Sequence, residues 1–293
     1  MSNINIVFVG LSKNCFQNVQ KNIIFLESYK KSTKYNLQII VIDSDSTDGT
    51  KEFCIKKNNE KIIDEFIQID NLEKKYDSRI ERIAVCRNKG IETFKDKIKE
   101  FSIYIPMDLD LNLFKFVDIE TFESLIDSFI DDNNAQGYFP FSFPYYYDIF
   151  ALRKKGWVDG NALLNSFKLK RKFIIGAFIF NYIYIFSKQF KKEKFIEDLI
   201  PVESAFGGIG LYKVNNSIKY YELDKNDKYF ISEHISFNEQ FNYLFIYRDW
   251  AIEAPLEHVR FKSYNSIEKI IYVCKTLKYD FISLKNKLLG IKK

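Results

Sequence analysis

The chain has 293 residues, of which 46% are hydrophobic and 28% charged, and its formal net charge is +5. With only 11 glycines and 5 prolines, this composition excludes a disordered or low-complexity chain and predicts one globular unit with an extensive core. So mild a charge gives no indication of nucleic acid binding, and we expect no nucleic acid partner.

Strand and helix patterns alternate through roughly the first 110 residues. Apolar segments predict strands at 4–11, 36–43, 64–70 and 101–111. Helical periodicity predicts helices at 16–29, 51–58 and 78–98. Asn14 and Thr50 are expected to begin the first two helices. This alternation predicts an α/β fold with a mostly parallel central sheet flanked by helices, whose ligands bind beyond the carboxyl ends of the strands.

The pattern after residue 110 is less regular. It predicts a helix at 119–131, an aromatic strand within 135–153 and a glycine-rich segment at 203–213. We expect this second half to be a lobe whose loops shape a pocket.

Two acidic loops follow predicted strands, VIDSDSTDGT at 41–50 and DLD at 108–110. Carboxylates as close as Asp108 and Asp110 repel each other unless a cation, a proton or hydrogen-bond donors lie between them. Taken alone, the first loop is equally compatible with turn and helix-cap chemistry. Because both loops fall at the same edge of the predicted sheet, they converge on one crevice and favour a metal site.

The two loops resemble the nucleotide-sugar-binding half of GT-A glycosyltransferases, whose family-2-type members carry a D-x-x-S-T-D-G-T loop and a DxD metal motif. Three later segments, YYDIFALR, ESAFGGIGLYK and SEHISFN, resemble in the same order motifs of the cryptococcal-capsule mannosyltransferase-like group. The resemblance covers most of the chain from residue 4 to about 240.

The resemblance implies a GT-A (Rossmann-like) fold with a nucleotide-sugar-binding half at 1–115 and an acceptor-binding half of the same domain at 116–260. A basic amphipathic helix is expected at 261–293. The implied activity is hexosyl transfer from a nucleotide-sugar donor to a glycan acceptor, lipid-linked as one alternative, in the synthesis of capsule, lipopolysaccharide or another surface polysaccharide.

The resemblance also implies roles for individual residues. Mn²⁺ or Mg²⁺ would neutralise the charge that develops on the leaving nucleoside diphosphate. Asp43 would contact the base or ribose, and Arg87 the diphosphate or the first DxD aspartate. The implied metal ligands are Asp108, Asp110 and His234. The implied donor-binding residues are Gly10, Asp43, Asp45, Arg87 and Asp108.

Asp148 and Glu203 are the candidates for the carboxylate base that an inverting enzyme needs within reach of its acceptor. Each is equally compatible with a structural role, as a strand-end carboxylate or an ion-pair partner. The mannosyltransferase-like group retains configuration and needs no external base, so the stereochemistry stays open. A lone histidine such as His234 is also compatible with a hydrogen-bonded structural role.

Location is predicted from three features. The start, MSNINIVFVGL, lacks the basic region and cleavage site of a signal peptide, and the four cysteines form no CxxC pair, so we expect a cytoplasmic protein. The apolar segment 173–186 is too short to cross a bilayer; it fits a core element or, flanked by basic residues, a segment resting on an anionic leaflet. The lysine-rich carboxy-terminal helix fits a docking, dimer or membrane contact at the inner face of the cytoplasmic membrane.

Two further interpretations compete with the glycosyltransferase. A nucleotidyltransferase would use a related sheet, but the glycine-rich basic phosphate loop expected after the first strand is missing from VGLSKNCFQNV. A non-catalytic scaffold at a membrane surface would keep the fold and use the apolar segment and the basic tail for attachment. The sequence predicts no oligomeric state.

Overall fold

The computed structural model describes residues 4–96, 98, 102–172, 177–223 and 231–288. The strands within these ranges are β1 (Asn5–Ser12), β2 (Asn36–Asp43), β3 (Glu65–Gln68), β4 (Ser102–Asp108), β5 (Gly137–Phe143), β6 (Leu199–Val202), β7 (Leu211–Val214) and β8 (Leu244–Glu253). The helices are α1 (Phe16–Ser32), α2 (Thr50–Asn59), α3 (Leu72–Lys75), α4 (Arg79–Lys95), α5 (Ile119–Asp131), α6 (Ala162–Lys172), α7 (Ala177–Tyr184), α8 (Glu233–Asn238), α9 (Leu256–Ser263) and α10 (Ser266–Leu288).

These strands form one sheet in the order β3-β2-β1-β4-β7-β5-β8-β6. The run from β3 to β4 pairs in parallel, and so do β5 and β8, whereas β7 and β6 are antiparallel to their neighbours. The predicted α/β fold with a mostly parallel central sheet is confirmed. The sheet continues across the boundary predicted at 115 between the donor-binding and acceptor-binding halves, since β4 pairs with β7. The functions of the two halves stay a prediction.

The central strand β1 shows why its sequence is almost entirely apolar. Val7 and Val9 face a core that α4 covers, while Ile6 and Phe8 face the opposite core, which contains side chains of α1 and α5. A parallel strand buried on both faces requires apolar residues at every position. Polar residues are therefore placed at the carboxyl end of the strand, next to the loops.

Two sequence predictions in this region need correction. Asn14 does not cap α1; its side-chain oxygen accepts a hydrogen bond from the Thr47 backbone N–H at 2.8 Å and joins two loops. The aromatic strand predicted within 135–153 ends at Phe143. It ends there because the Ser142 hydroxyl accepts the Tyr147 N–H at 2.9 Å and donates to the Tyr145 carbonyl, which turns the chain.

The carboxy-terminal helix begins later than predicted, at Ser266 rather than 261. Asn265 and Glu268 cap it reciprocally, each side chain accepting the backbone N–H of the other at 2.8–2.9 Å. Residues 289–293 and 173–176 of the predicted segments lie outside the described ranges. None of the helices in those ranges is long and apolar enough to span a bilayer.

Candidate functional site

A cavity of about 600 Å³ opens at the carboxyl ends of β1, β2 and β4, where the sequence places its acidic loops. Five predicted site residues contribute to its described lining: Arg87, Asp108, Asp110, Asp148 and His234. Four others do not: Gly10, Asp43, Asp45 and Glu203. The roles implied for all nine residues stay predictions. The surroundings of these nine residues differ from one another.

Asp43 lies at the end of β2 and is fully buried. Its carboxylate accepts hydrogen bonds from the Ser12 hydroxyl at 2.9 Å, the Ser46 hydroxyl at 2.5 Å and the Ser46 N–H at 3.2 Å. These bonds fasten the loop after β2 to the end of β1. Asp43 thus supports the cavity wall without lining the cavity, while Ser12 and Ser44 line it.

The other acidic residues of this loop also hold neighbouring segments in place. The Asp45 carboxylate accepts the backbone N–H groups of Asn71 at 2.6 Å and Leu72 at 3.1 Å, which positions the start of α3. The Asp48 carboxylate accepts the Phe16 N–H at 3.1 Å, at the start of α1. This agrees with the turn-chemistry interpretation of the loop.

Gly10 makes room for the DLD loop. A Cβ atom at Gly10 would lie 2.5 Å from Cδ1 of the buried Leu109, closer than two carbon atoms approach, so a larger residue would displace this side chain of the loop. Asn22, buried in α1, holds the same loop by donating to the Leu111 carbonyl at 2.8 Å and accepting the Leu113 N–H at 3.1 Å. No local pattern in the sequence signals this role of Asn22, because its partners lie 89 and 91 positions away in the chain.

Arg87 lies at the centre of the cavity wall, 1% exposed on α4. Its Nη2 donates to Asp108 at 2.7 Å and its Nε to Glu233 at 3.0 Å, while the guanidinium carbon lies 4.7 Å from the ring centroid of Phe206. Burial alone would lower the pKa of Arg87, but the carboxylates of Asp108 and Glu233 raise it well above its usual value. The remaining donor, Nη1, is buried and has no hydrogen-bond partner in the described structure.

Glu233 was missed in the sequence although it lies in the segment SEHISFN. Its partner Arg87 is 146 residues away in the chain, and no local pattern signals such a pair. Only the placement of α8 beside α4 brings the two together.

His234 lies next to this ion pair on α8 and is 2% exposed. Its ring stacks on Phe206 with a centroid distance of 3.6 Å. Burial, with a further contribution from the charge of Arg87, lowers its pKa well below the usual value, so the imidazole is neutral. Neither ring nitrogen has a hydrogen-bond partner among the described residues, although Nε2 lies 3.4 Å from the carboxylate of Glu233. The neutral imidazole is the form that binds metals, but both of its nitrogens are buried here.

Asp108 and Asp110 present their carboxylates to the cavity. Asp108 is bound on one side by Arg87, and its side chain is 33% exposed. Asp110 has an open surface inside the cleft, yet the surrounding walls remove part of its hydration. This loss of hydration, and next the negative charge of Asp108, raise the pKa of Asp110 to about 6, whereas Arg79 opposes the shift. The repulsion expected between the two aspartates is therefore present.

A divalent cation fits this pair on the chemistry of its donors. Hard carboxylate oxygens that repel each other suit Mn²⁺ or Mg²⁺, and Mg²⁺ commonly takes only one or two protein carboxylates and completes its shell with water and substrate phosphates. Throughout the described ranges, no group of three or more His, Cys, Asp or Glu side chains is arranged to hold a metal ion. The ligand set of Asp108, Asp110 and His234 is thus not pre-assembled.

Asp148 also lines the cavity, on the loop after β5. Its carboxylate accepts the Gly207 N–H at 2.9 Å and the Ala151 N–H at 3.3 Å. Burial raises the pKa of Asp148 to about 6, although these two hydrogen bonds lower it. Glu203, the other candidate base, is exposed and absent from the described cavity lining.

Comparison with known proteins gives similarity only at the level of solved structures, because no family model matches the sequence and no curated protein does either. The chain is similar to mannosyl-3-phosphoglycerate synthase from Rubrobacter xylanophilus, at 10% identity and a TM-score of 0.39, covering 99% of this chain and 76% of that one. It is also similar to mannosyltransferase PcManGT from Pyrobaculum calidifontis in complex with GDP-Man and Mn²⁺, at 9% identity and a TM-score of 0.45, covering 85% of this chain.

A third similar structure is S. aureus TarS 1–349 in complex with UDP-GlcNAc, at 14% identity and a TM-score of 0.43, covering 94% of this chain. The chain spans 56% of the PcManGT chain and 66% of this TarS chain. At such identities and scores a likeness does not establish a shared activity.

Proposed function

We propose that this protein is a divalent-metal-dependent glycosyltransferase of the hexosyl type, which moves a sugar from a nucleotide-sugar donor to a glycan acceptor. The supporting observation is the carboxylate pair of Asp108 and Asp110 in a cavity whose lining also includes the buried Arg87 and the carboxylate of Asp148. As the sequence resemblance implies, we assign the acceptor to surface polysaccharide synthesis, lipid-linked as one alternative.

The donor diphosphate would bind on the Arg87 side of the cavity. Asp108 and Asp110 would hold Mn²⁺ or Mg²⁺, which supplies Lewis-acid stabilisation of the leaving diphosphate. The positive charge of Arg87, held behind Asp108 in the cavity wall, would attract the diphosphate electrostatically. Since Arg87 is already fixed by Asp108 and Glu233, its guanidinium requires little reorganisation to act in this way.

The acceptor hydroxyl would lie on the Asp148 side. Two backbone N–H groups orient the carboxylate of Asp148, and a pKa near 6 makes it ionised at neutral pH yet basic enough to accept a proton. In an inverting reaction Asp148 would take the proton of the acceptor hydroxyl. In a retaining reaction it would orient the acceptor instead.

We expect Asp148→Asn to change the pH dependence of stability. A carboxyl pKa raised from 3.8 to about 6 means that the folded protein binds the extra proton of Asp148 between these values, so the contribution of Asp148 to stability falls as the pH rises from about 4 to 6. A shift of this size corresponds to about 3 kcal/mol. Because Asp110 and His234 titrate in both proteins, the test is the difference between the two in urea unfolding at pH 4, 5, 6 and 7, which should change by about 3 kcal/mol in favour of Asp148→Asn as the pH rises; parallel curves would contradict it.

The test of the proposed function is a donor panel. The purified protein is incubated with UDP-, GDP-, CDP- and dTDP-sugars, with Mn²⁺ or with EDTA, and release of the nucleoside diphosphate is measured. We expect one donor to be turned over, only with the metal, and Asp148→Asn to lower turnover more than Glu203→Gln does. Absence of turnover across the panel would contradict the proposal and favour the scaffold interpretation.

A further inference from the structure

Helix α10 exposes an apolar stripe that nothing in the described structure covers. Its members lie on one face of the helix and are between 37% and 70% exposed: Ile267, Ile270, Ile271, Leu277, Phe281 and Ile282. The opposite face is packed, because Tyr272 contacts Phe186 at 5.9 Å and Phe261 at 5.5 Å between ring centroids. The stripe is therefore the outer surface of a helix that is already anchored to the protein.

Exposed lysines lie on the same helix. Lys278 and Lys285 line a shallow groove together with Leu277, Phe281 and Ile282, and Lys275 is exposed beside them. Among the described acidic residues of α10, Glu268 lies in the first turn and Asp280 is buried on the packed face. The outer face thus combines apolar side chains with positive charge.

The neighbouring helix α7 adds to this surface. Phe178 packs inward on Phe261 at 5.3 Å, whereas Ile179, Tyr182 and Ile183 are 57%, 46% and 46% exposed. The segment 173–186, for which a core and an interfacial position were both open, is thus part packed and part exposed over its described residues.

We propose that α10 docks on the surface of a bilayer that contains anionic lipids, with its apolar stripe in the acyl–headgroup boundary and its lysines at the phosphates. Lysines that lie among and next to the apolar side chains can extend their long stems toward the phosphates, so the helix matches both layers of such a surface. A second copy of the chain fits less well, since an isologous contact through this face would place like-charged lysines against each other.

The docking would bring the cavity close to the bilayer. Helix α9 links the two regions, because Glu257 and His258 line the cavity while Phe261 packs against Tyr272 of α10. The docking itself does not depend on the proposed activity, since it is measured without any substrate.

The test is flotation of the full chain with vesicles of phosphatidylcholine alone or mixed with phosphatidylglycerol. We expect flotation with the mixed vesicles, and much less with phosphatidylcholine alone. Lys278→Gln should weaken partitioning about five-fold, and the triple change at Lys275, Lys278 and Lys285 on the order of 100-fold. Lys21→Gln, an exposed lysine on α1, is the matched control and should have no effect.

The apolar stripe is tested separately. Ile270→Glu combined with Phe281→Glu should abolish flotation, whereas Ile196→Glu, at a site 90% exposed in another loop, should not. All of these side chains are exposed, and unchanged thermal unfolding checks that the variants fold. Unaltered flotation in the α10 variants would overturn the proposal. So would failure of the wild type to float, or a dimer in sedimentation that Phe281→Glu dissociates while vesicles are ignored.

Discussion

Replacing Arg87 with methionine should lower the free energy of unfolding by about 3–5 kcal/mol, the usual cost of removing one partner of a buried ion pair. The cost arises because Glu233, with only 8% of its side chain exposed, keeps a buried negative charge without its partner. Asp108 loses the same guanidinium. Urea unfolding at pH 7.5 measures the difference.

Two further variants identify the cause of that loss. Lys34→Met removes the exposed ion pair with Asp127 and should leave the urea midpoint nearly unchanged. The double change Arg87→Met with Glu233→Gln should recover part of the stability, because the uncompensated charge is gone. If Arg87→Met were as stable as Lys34→Met, or if the double variant recovered nothing, the ion-pair explanation would be wrong.

The Asp110→Asn variant should lower donor turnover by at least about 100-fold while leaving the fold intact. The substitution replaces an anionic carboxylate with a neutral amide and removes half of the carboxylate charge that would hold the cation. It should not lower thermal stability in the absence of metal, since burial and the charge of Asp108 already disfavour the ionised form of Asp110. Initial rates with saturating Mn²⁺ and a melting curve in EDTA measure the two effects.

A matched control for that variant is Asp159→Asn. Asp159 is an exposed aspartate outside the described cavity lining, so its replacement should leave turnover unchanged. Equal turnover in Asp110→Asn and the wild type would remove the carboxylate pair from the donor site. A loss of melting temperature as large as that of Arg87→Met would instead assign Asp110 a structural role.

The parts of the fold that were predicted correctly are those with a strong local signal. The apolar runs of β1, β2 and β4 identify strands buried on both faces, and their carboxyl ends gather at one edge of a parallel sheet. This is why the sequence alone predicts a ligand crevice at Asp108 and Asp110. The predicted strand at β5 was too long, because the chain turns at a hydrogen bond to Ser142. The aromatic pattern contains no signal of this contact.

The contacts that hold the site together could not be predicted in the same way. Asn22 supports the DLD loop from a distant helix, and Glu233 meets Arg87 across 146 positions. Asn14 satisfies the usual preference for a helix cap, yet a tertiary partner, Thr47, takes its side chain instead. Such positions depend on how elements pack, and propensity or spacing contains no information about them.

The most direct test of the central claim is isothermal titration of the protein with UDP, GDP, CDP and dTDP, each with and without Mn²⁺, repeated on Asp110→Asn. We predict that one diphosphate binds, that binding requires the metal, and that the substitution weakens it at least on the order of 100-fold. Binding of no diphosphate under either condition, or metal-independent binding that Asp110→Asn leaves unchanged, would contradict a donor site at this cavity.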